Sequence, residues 1–195
     1  MEKIEKYYIL DTETTGLREW EEQVIELAFR EVINGKAGRA FNYLLKVEEG
    51  KRLEPKIISL TGITDDLLEK DGKNRKAVLE RAENILKGEV VVAYNAPFDL
   101  KFLNAEFVRE FGKPFVTDYI DALEIARDVF KDIPIPNKKL ETIADFYGFK
   151  ETQDHRALSD VDMTHFVLEN LKKEVELENY LRRFVGEVQT NNFLD

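Results

Sequence analysis

Four consecutive apolar residues, Val90-Val91-Val92-Ala93, constrain the fold more than any other stretch of the chain. A strand with one wet face alternates polar and apolar residues, whereas a continuous β-branched run suits a strand covered on both faces. The flanks agree with that reading. Gly88 stops a helix expected over about 74–87, whose Val78, Ala82, Ile85 and Leu86 share one face. Pro97 stands where the next helix can begin and run on through Phe102, Leu103 and Phe107. A buried strand between two helices is the signature of an α/β architecture.

The chain ahead of this unit has a different rhythm. Tyr7-Tyr8-Ile9-Leu10 is an aromatic and β-branched run that reads as a buried strand. From Val24 to Val32, Ile25, Leu27 and Phe29 alternate with Glu26 and Arg30. Asn34-Gly35 offers a hairpin turn, and Phe41, Tyr43, Leu45 and Val47 alternate in a third strand. These three strands are expected to form an antiparallel meander. Pro55 opens a short helix that Gly62 closes, and Thr64 with Asp65 caps another. Beyond the central unit come a strand over Phe115 to Ile120, a helix capped by Asp121, and a Pro134/Pro136 loop. Helices over Lys138 to Tyr147, about 156–172 and about 175–186 complete the reading. The expected fold is α/β: one mixed five-stranded sheet flanked by helices, a single domain over 1–186 with a frayed tail at 187–195.

A length of 195 residues is enough to bury one good core. The chain has no cysteine, which removes disulfides and thiolate metal sites and suits a reducing cytoplasm, the expected location. The first residues lack the apolar segment of a signal peptide, and no run reaches membrane-spanning length, so no membrane partner is expected. The net charge of −10 argues against coating nucleic acid by bulk electrostatics, yet leaves room for an enzyme that grips a few nucleotides.

The first strand runs into Asp11-Thr12-Glu13-Thr14-Thr15-Gly16-Leu17. Asp11 and Glu13 are two positions apart and therefore point the same way. Two such carboxylates repel by roughly 4 kcal/mol at about 4 Å and an effective dielectric of about 20, so holding them together calls for cations. Carboxylate oxygens suit hard divalent ions such as Mg²⁺ or Mn²⁺. A capped strand-to-turn transition would account for the same residues without chemistry. Asp99 falls in the first turn of a helix, where the helix dipole alone favours a carboxylate, and Asp160 is equally explicable as a solvated charge. His155 precedes Asp160 by five positions, about 140° round a regular helix, so the two converge only if His155 lies at or before the helix start.

Taken together, D-T-E-T-T-G-L with Asp11 and Glu13, Y-N-A-P-F-D-L-K-F-L with Asp99, and H-R-A-L-S-D with His155 and Asp160 resemble the DnaQ-like DEDDh 3′–5′ exonucleases. This family is typified by the proofreading subunit of bacterial replicative DNA polymerase, and the resemblance spans residues 6–172. It implies an RNase H-like sheet. It implies that Asp11, Glu13, Asp99 and Asp160 hold two divalent metal ions, with His155 as general base. It also implies a terminal-nucleotide pocket lined by Thr14, Thr15, Gly16 and Leu17 and by Asn95, Phe98 and Phe102. For Phe98 and Phe102, plain core packing is the competing reading. The substrate would be a nucleic acid 3′ end, single-stranded DNA in preference to RNA, and a DNA polymerase subunit is the implied partner. An inactive polymerase-binding scaffold is the rival of a different class.

Overall fold

In the computed structural model, residues 3–150 and 156–188 are described. Strand β1 (Lys6–Thr14) pairs antiparallel with β2 (Val24–Ile33), which pairs antiparallel with β3 (Lys36–Leu44). The tight β2–β3 connection works because Asn34 and Gly35 both adopt positive φ, 50° and 75°, as a two-residue hairpin turn requires. Three helices follow, α1 (Pro55–Thr61), α2 (Asp65–Asp71) and α3 (Arg75–Leu86). Thr64 and Asn74 cap the latter two by accepting from Leu67 N and Ala77 N. Strand β4 (Val90–Ala93) then pairs parallel with β1, α4 (Ala96–Phe111) crosses back, and β5 (Val116–Asp121) pairs parallel with β4. Helices α5 (Ala122–Val129), α6 (Leu140–Tyr147) and α7 (Ala157–Leu171) close the fold together with a 3₁₀ turn and strand β6 (Arg182–Val185). The sheet order is β3-β2-β1-β4-β5-β6, with β1 and β4 at its centre.

Alternation along β1 divides the core in two. Tyr7 and Ile9 pack with α5, α6 and α7, while Tyr8 and Leu10 pack with α3 and α4. Val91 and Val92 are wholly buried on opposite faces, as the apolar run demanded.

The alternation along β2 has an unusual setting, and one expectation fails for a physical reason. Strand β2 is not wet on one side: every residue from Val24 to Phe29 is buried, Glu26 included, because α7 and α4 cover its two faces. The expected helix at 175–186 is instead a 3₁₀ turn, Leu177–Tyr180, followed by β6, so among the described residues the sheet has six strands rather than five. The spacing of Leu177, Leu181 and Phe184 imitates a helical stripe. What decides the matter is the far edge of β5, whose backbone groups β6 pairs antiparallel. Arg183 then meets Asp118 at 2.8 Å, Phe184 packs edge-on against Tyr119, and Val185 stays exposed. Of the tail expected to fray, 189–195 lies outside the described residues, and Glu187 carbonyl accepts from Asn104 Nδ2 at 2.8 Å.

Candidate active site

Strand β1 ends in a bulge. Glu13 pairs with Glu26, but Thr14 pairs with Val24, so the chain turns away just past the two acidic residues. Asp11 and Glu13 share the face of Tyr7 and Ile9, which is the face that α7 covers. Helix α7 opens at Ala157 and brings Asp160 down in its first turn. Ligand atoms of Asp11, Glu13 and Asp160 lie within 4.8 Å of one another. Three hard oxygen donors at that separation are a donor set for a divalent cation.

Asp99 arrives from the other side. Thr12, between the two acids, faces α4 and donates its hydroxyl to Asp99 Oδ1 at 2.7 Å. Asp99 is buried in the first turn of α4, whose start is set by Asn95 in the left-handed region (φ 71°). Asp121 holds that start in place, its Oδ1 accepting from Asn95 N at 2.9 Å and Ala96 N at 3.3 Å. The fourth carboxylate of the sequence reading is thus close to the other three without joining their cluster.

Burial and crowding leave these acids reluctant to ionise. The Asp11 carboxyl is raised well above the usual carboxylate range, first by burial and then by Asp99, Asp160, Glu13 and Glu26. Burial, followed by Asp160, Glu26 and Asp99, pushes Glu13 up to about 8, with Arg156 pulling the other way. Burial likewise pushes Asp99 up to about 7, and the hydrogen bond from Thr12 opposes it. A bound cation would relieve the same repulsion, so the residues fit a metal ion on charge as well as on donor type.

The loop after β1 is built by its own side chains. Thr14 hydroxyl donates to Gly16 carbonyl at 2.6 Å, Thr15 hydroxyl donates to Glu22, and Thr15 N donates to Gln23 carbonyl. From α4, Arg109 donates to Glu22 carbonyl, and Glu106 accepts from Val24 N, tying the loop to the helix that carries Asp99. This leaves Leu17 82% exposed at the loop tip. Phe98 and Phe102 lie tilted against each other with ring centroids 4.9 Å apart, but Phe102 is fully buried in the α3–α4 core and only Phe98 is partly exposed. His155 lies outside the described residues. Sequence reasoning missed Thr12 and Glu26, and it read Asp121 as the cap of α5, which it is, but not as the residue that also holds the start of α4. The one signal available was a lone charge inside the apolar run of β2.

The family model described as Exonuclease (RNase_T) matches residues 8–168, from the first core strand through most of α7. The chain belongs to the DnaQ-like 3′–5′ exonuclease family. It is accordingly an enzyme of the 3′–5′ exonuclease class. This exonuclease is 34% identical over 171 residues to the PolC-type DNA polymerase III of Bacillus cereus, and 33% identical over 178 residues to that of Staphylococcus epidermidis. Those alignments cover 88% and 90% of the exonuclease but 12% of each relative, so the chain spans about an eighth of their length. Among solved structures, the zinc-bound E. coli exonuclease I complex with single-stranded DNA superposes with a TM-score of 0.78 at 20% identity, covering 91% of this chain and 43% of that one. Exonuclease X in complex with 5′-overhanging duplex DNA gives 0.70 at 21%, covering 89% and 96%. At these identities the likeness is one of fold. Among the described residues of the exonuclease, no helix is long and apolar enough to cross a membrane.

Proposed function

We propose that the chain removes nucleotides one at a time from the 3′ end of single-stranded or frayed DNA, releasing nucleoside 5′-monophosphates, in proofreading or repair. The convergence of Asp11, Glu13 and Asp160 carries this reading. Asp11, Glu13, Asp160 and Asp99 would hold two divalent ions, Mg²⁺ or Mn²⁺, with Asp11 shared between them. Bound there, the ions would offset the charge of the phosphodiester and acidify the attacking water. His155 would serve as the general base toward the attacking water, a role suited to a side chain that ordinarily titrates near neutral pH. Leu17 at the exposed loop tip and the ring of Phe98 grip the terminal nucleotide by apolar contact, which discriminates little between bases. The bulge after Glu13 turns the Thr14 to Leu17 backbone toward that nucleotide.

DNA is favoured over RNA because the relatives are DNA polymerases by name and the similar structures hold DNA. The same relatives make a replicative polymerase the partner of choice. The test uses matched DNA and RNA oligonucleotides labelled at the 5′ end, with Mg²⁺, Mn²⁺ or EDTA. A metal-dependent ladder on DNA, shortened from the 3′ end, slow on RNA and absent for Asp11→Ala, is expected. A ladder mainly on RNA overturns the substrate, and no ladder on either overturns the activity in favour of a scaffold. A ladder that survives Asp11→Ala overturns the site.

A further inference from the structure

Glu26 is a wholly buried carboxylate that the chemistry above leaves unused. It stands on β2 opposite Glu13 and faces α7, as do Ala28 and Val32 on the same face of the strand. Both of its oxygens are engaged by the start of that helix. Oε2 accepts from Arg156 Nε at 2.9 Å and from Ala157 N at 3.1 Å, and Oε1 accepts from Arg156 Nη2 at 2.6 Å. Arg156 is the residue that caps α7, and its carbonyl in turn accepts from Asp160 N at 3.1 Å. A second fork grips the helix just past Asp160. Arg30 Nε and Nη2 donate to Asp162 Oδ1 and Oδ2 at 2.6 and 2.9 Å. Asp160 is therefore bracketed in sequence by two ion pairs to β2, the strand whose other neighbour is β1 with Asp11 and Glu13.

From this geometry we infer that Glu26, acting through Arg156, is a positioning residue for the metal site: it fixes where Asp160 stands relative to Asp11 and Glu13. The inference rests on the metal-binding reading proposed above. A contribution to stability alone does not account for the pair, because apolar replacements of buried ion pairs are often neutral or stabilising. What a two-pronged Arg–carboxylate contact supplies is fixed distance and orientation. Residues that hold metal ligands in this way commonly change metal affinity by about 10–100-fold when replaced.

Charge offers the rival explanation, and three variants of the full chain separate the two. Glu26→Gln leaves the site one charge more positive, Arg156→Met one charge more negative, and Arg156→Lys keeps the charge but loses the fork. Mn²⁺ binding is read directly, from the spin-resonance signal of the free ion, alongside thermal unfolding and oligonucleotide kinetics. If Glu26 positions, all three variants weaken Mn²⁺ binding by about 10-fold or more and lower kcat, with KM for the oligonucleotide nearly unchanged. Opposite effects of Glu26→Gln and Arg156→Met overturn the inference in favour of simple electrostatics. Unchanged Mn²⁺ affinity with a lowered melting temperature overturns it in favour of a structural brace. If Glu26→Gln does not fold, the Arg156→Met and Arg156→Lys pair decides on the same readout. A wild-type chain that binds no Mn²⁺ is a separate result, which removes the metal reading itself and the positioning role with it.

Discussion

Replacing Glu13 by Gln is expected to stabilise the metal-free chain, and to do so only as the pH rises. Glu13 ordinarily titrates at 4.5, and burial with three neighbouring carboxylates moves it to about 8 in the folded chain. Between those values the folded chain retains a proton that the unfolded chain has lost, so each step up in pH favours unfolding. The stability is complete below about 4.5 and is lost progressively toward about 8. At ~1.4 kcal/mol per pH unit, the interval from 4.5 to about 8 sets an upper bound of ~5 kcal/mol. Partial exposure of the side chain and sharing of protons among the acids reduce this to ~2 kcal/mol. Gln never ionises and escapes the loss. The assay is urea unfolding in EDTA at about pH 5 and about pH 8, where wild type and Glu13→Gln should be similar at the lower value and ~2 kcal/mol apart at the higher. Adding Mn²⁺ at about 100 times its Kd stabilises wild type by ~2.7 kcal/mol and should reverse the order, because the variant has lost a ligand. A gap that does not change with pH, or that favours wild type in EDTA, refutes the electrostatic account of the cluster.

Two other substitutions probe the proposed roles. His155→Ala should slow single-turnover cleavage by about 10²–10⁴-fold and flatten the pH–rate profile, while Mn²⁺ binding stays near wild type; an unchanged profile would remove His155 from the base role. Thr12→Val deprives buried Asp99 of its hydrogen bond and should cost ~1–3 kcal/mol of stability above neutral pH, with Thr12→Ser restoring most of it, as measured by urea unfolding in EDTA.

How much could be read in advance depended on how local each determinant is. Asp11 and Glu13 were legible because a two-residue period at a strand end puts their side chains on one side. Asp160 was legible as a first-turn residue of a helix, although nothing local says which strand that helix covers. Thr12 reads as filler between two acids, since its partner Asp99 comes from α4, far along the chain. The role of Glu26 was hidden for a related reason. Alternation with Ile25, Leu27 and Phe29 marks a solvent-facing charge only if nothing packs on that face, and α7 does. At the C-terminus, the need of β5 for a neighbour outweighed a spacing that suits a helix equally well. Phe102 could not be divided between core and pocket until the α3–α4 layer was known.

The acidic cluster draws its members from β1, near residue 12, and from α7, near residue 160, while the neighbouring Asp99 comes from α4 between them. No segment that folds early can assemble it. A meander of β1 to β3 contains Asp11 and Glu13 but nothing to set against them, and their repulsion opposes any ordering of that strand end. The contacts that complete the cluster join residues far apart in sequence, and such contacts form late because the entropy of closing the intervening loop is lost before they give anything back. Divalent ions bound as proposed would therefore act on the last step of folding and not on its beginning. On the proposed metal reading, a chain whose β1 and α7 have not yet met would have no grip on the ion.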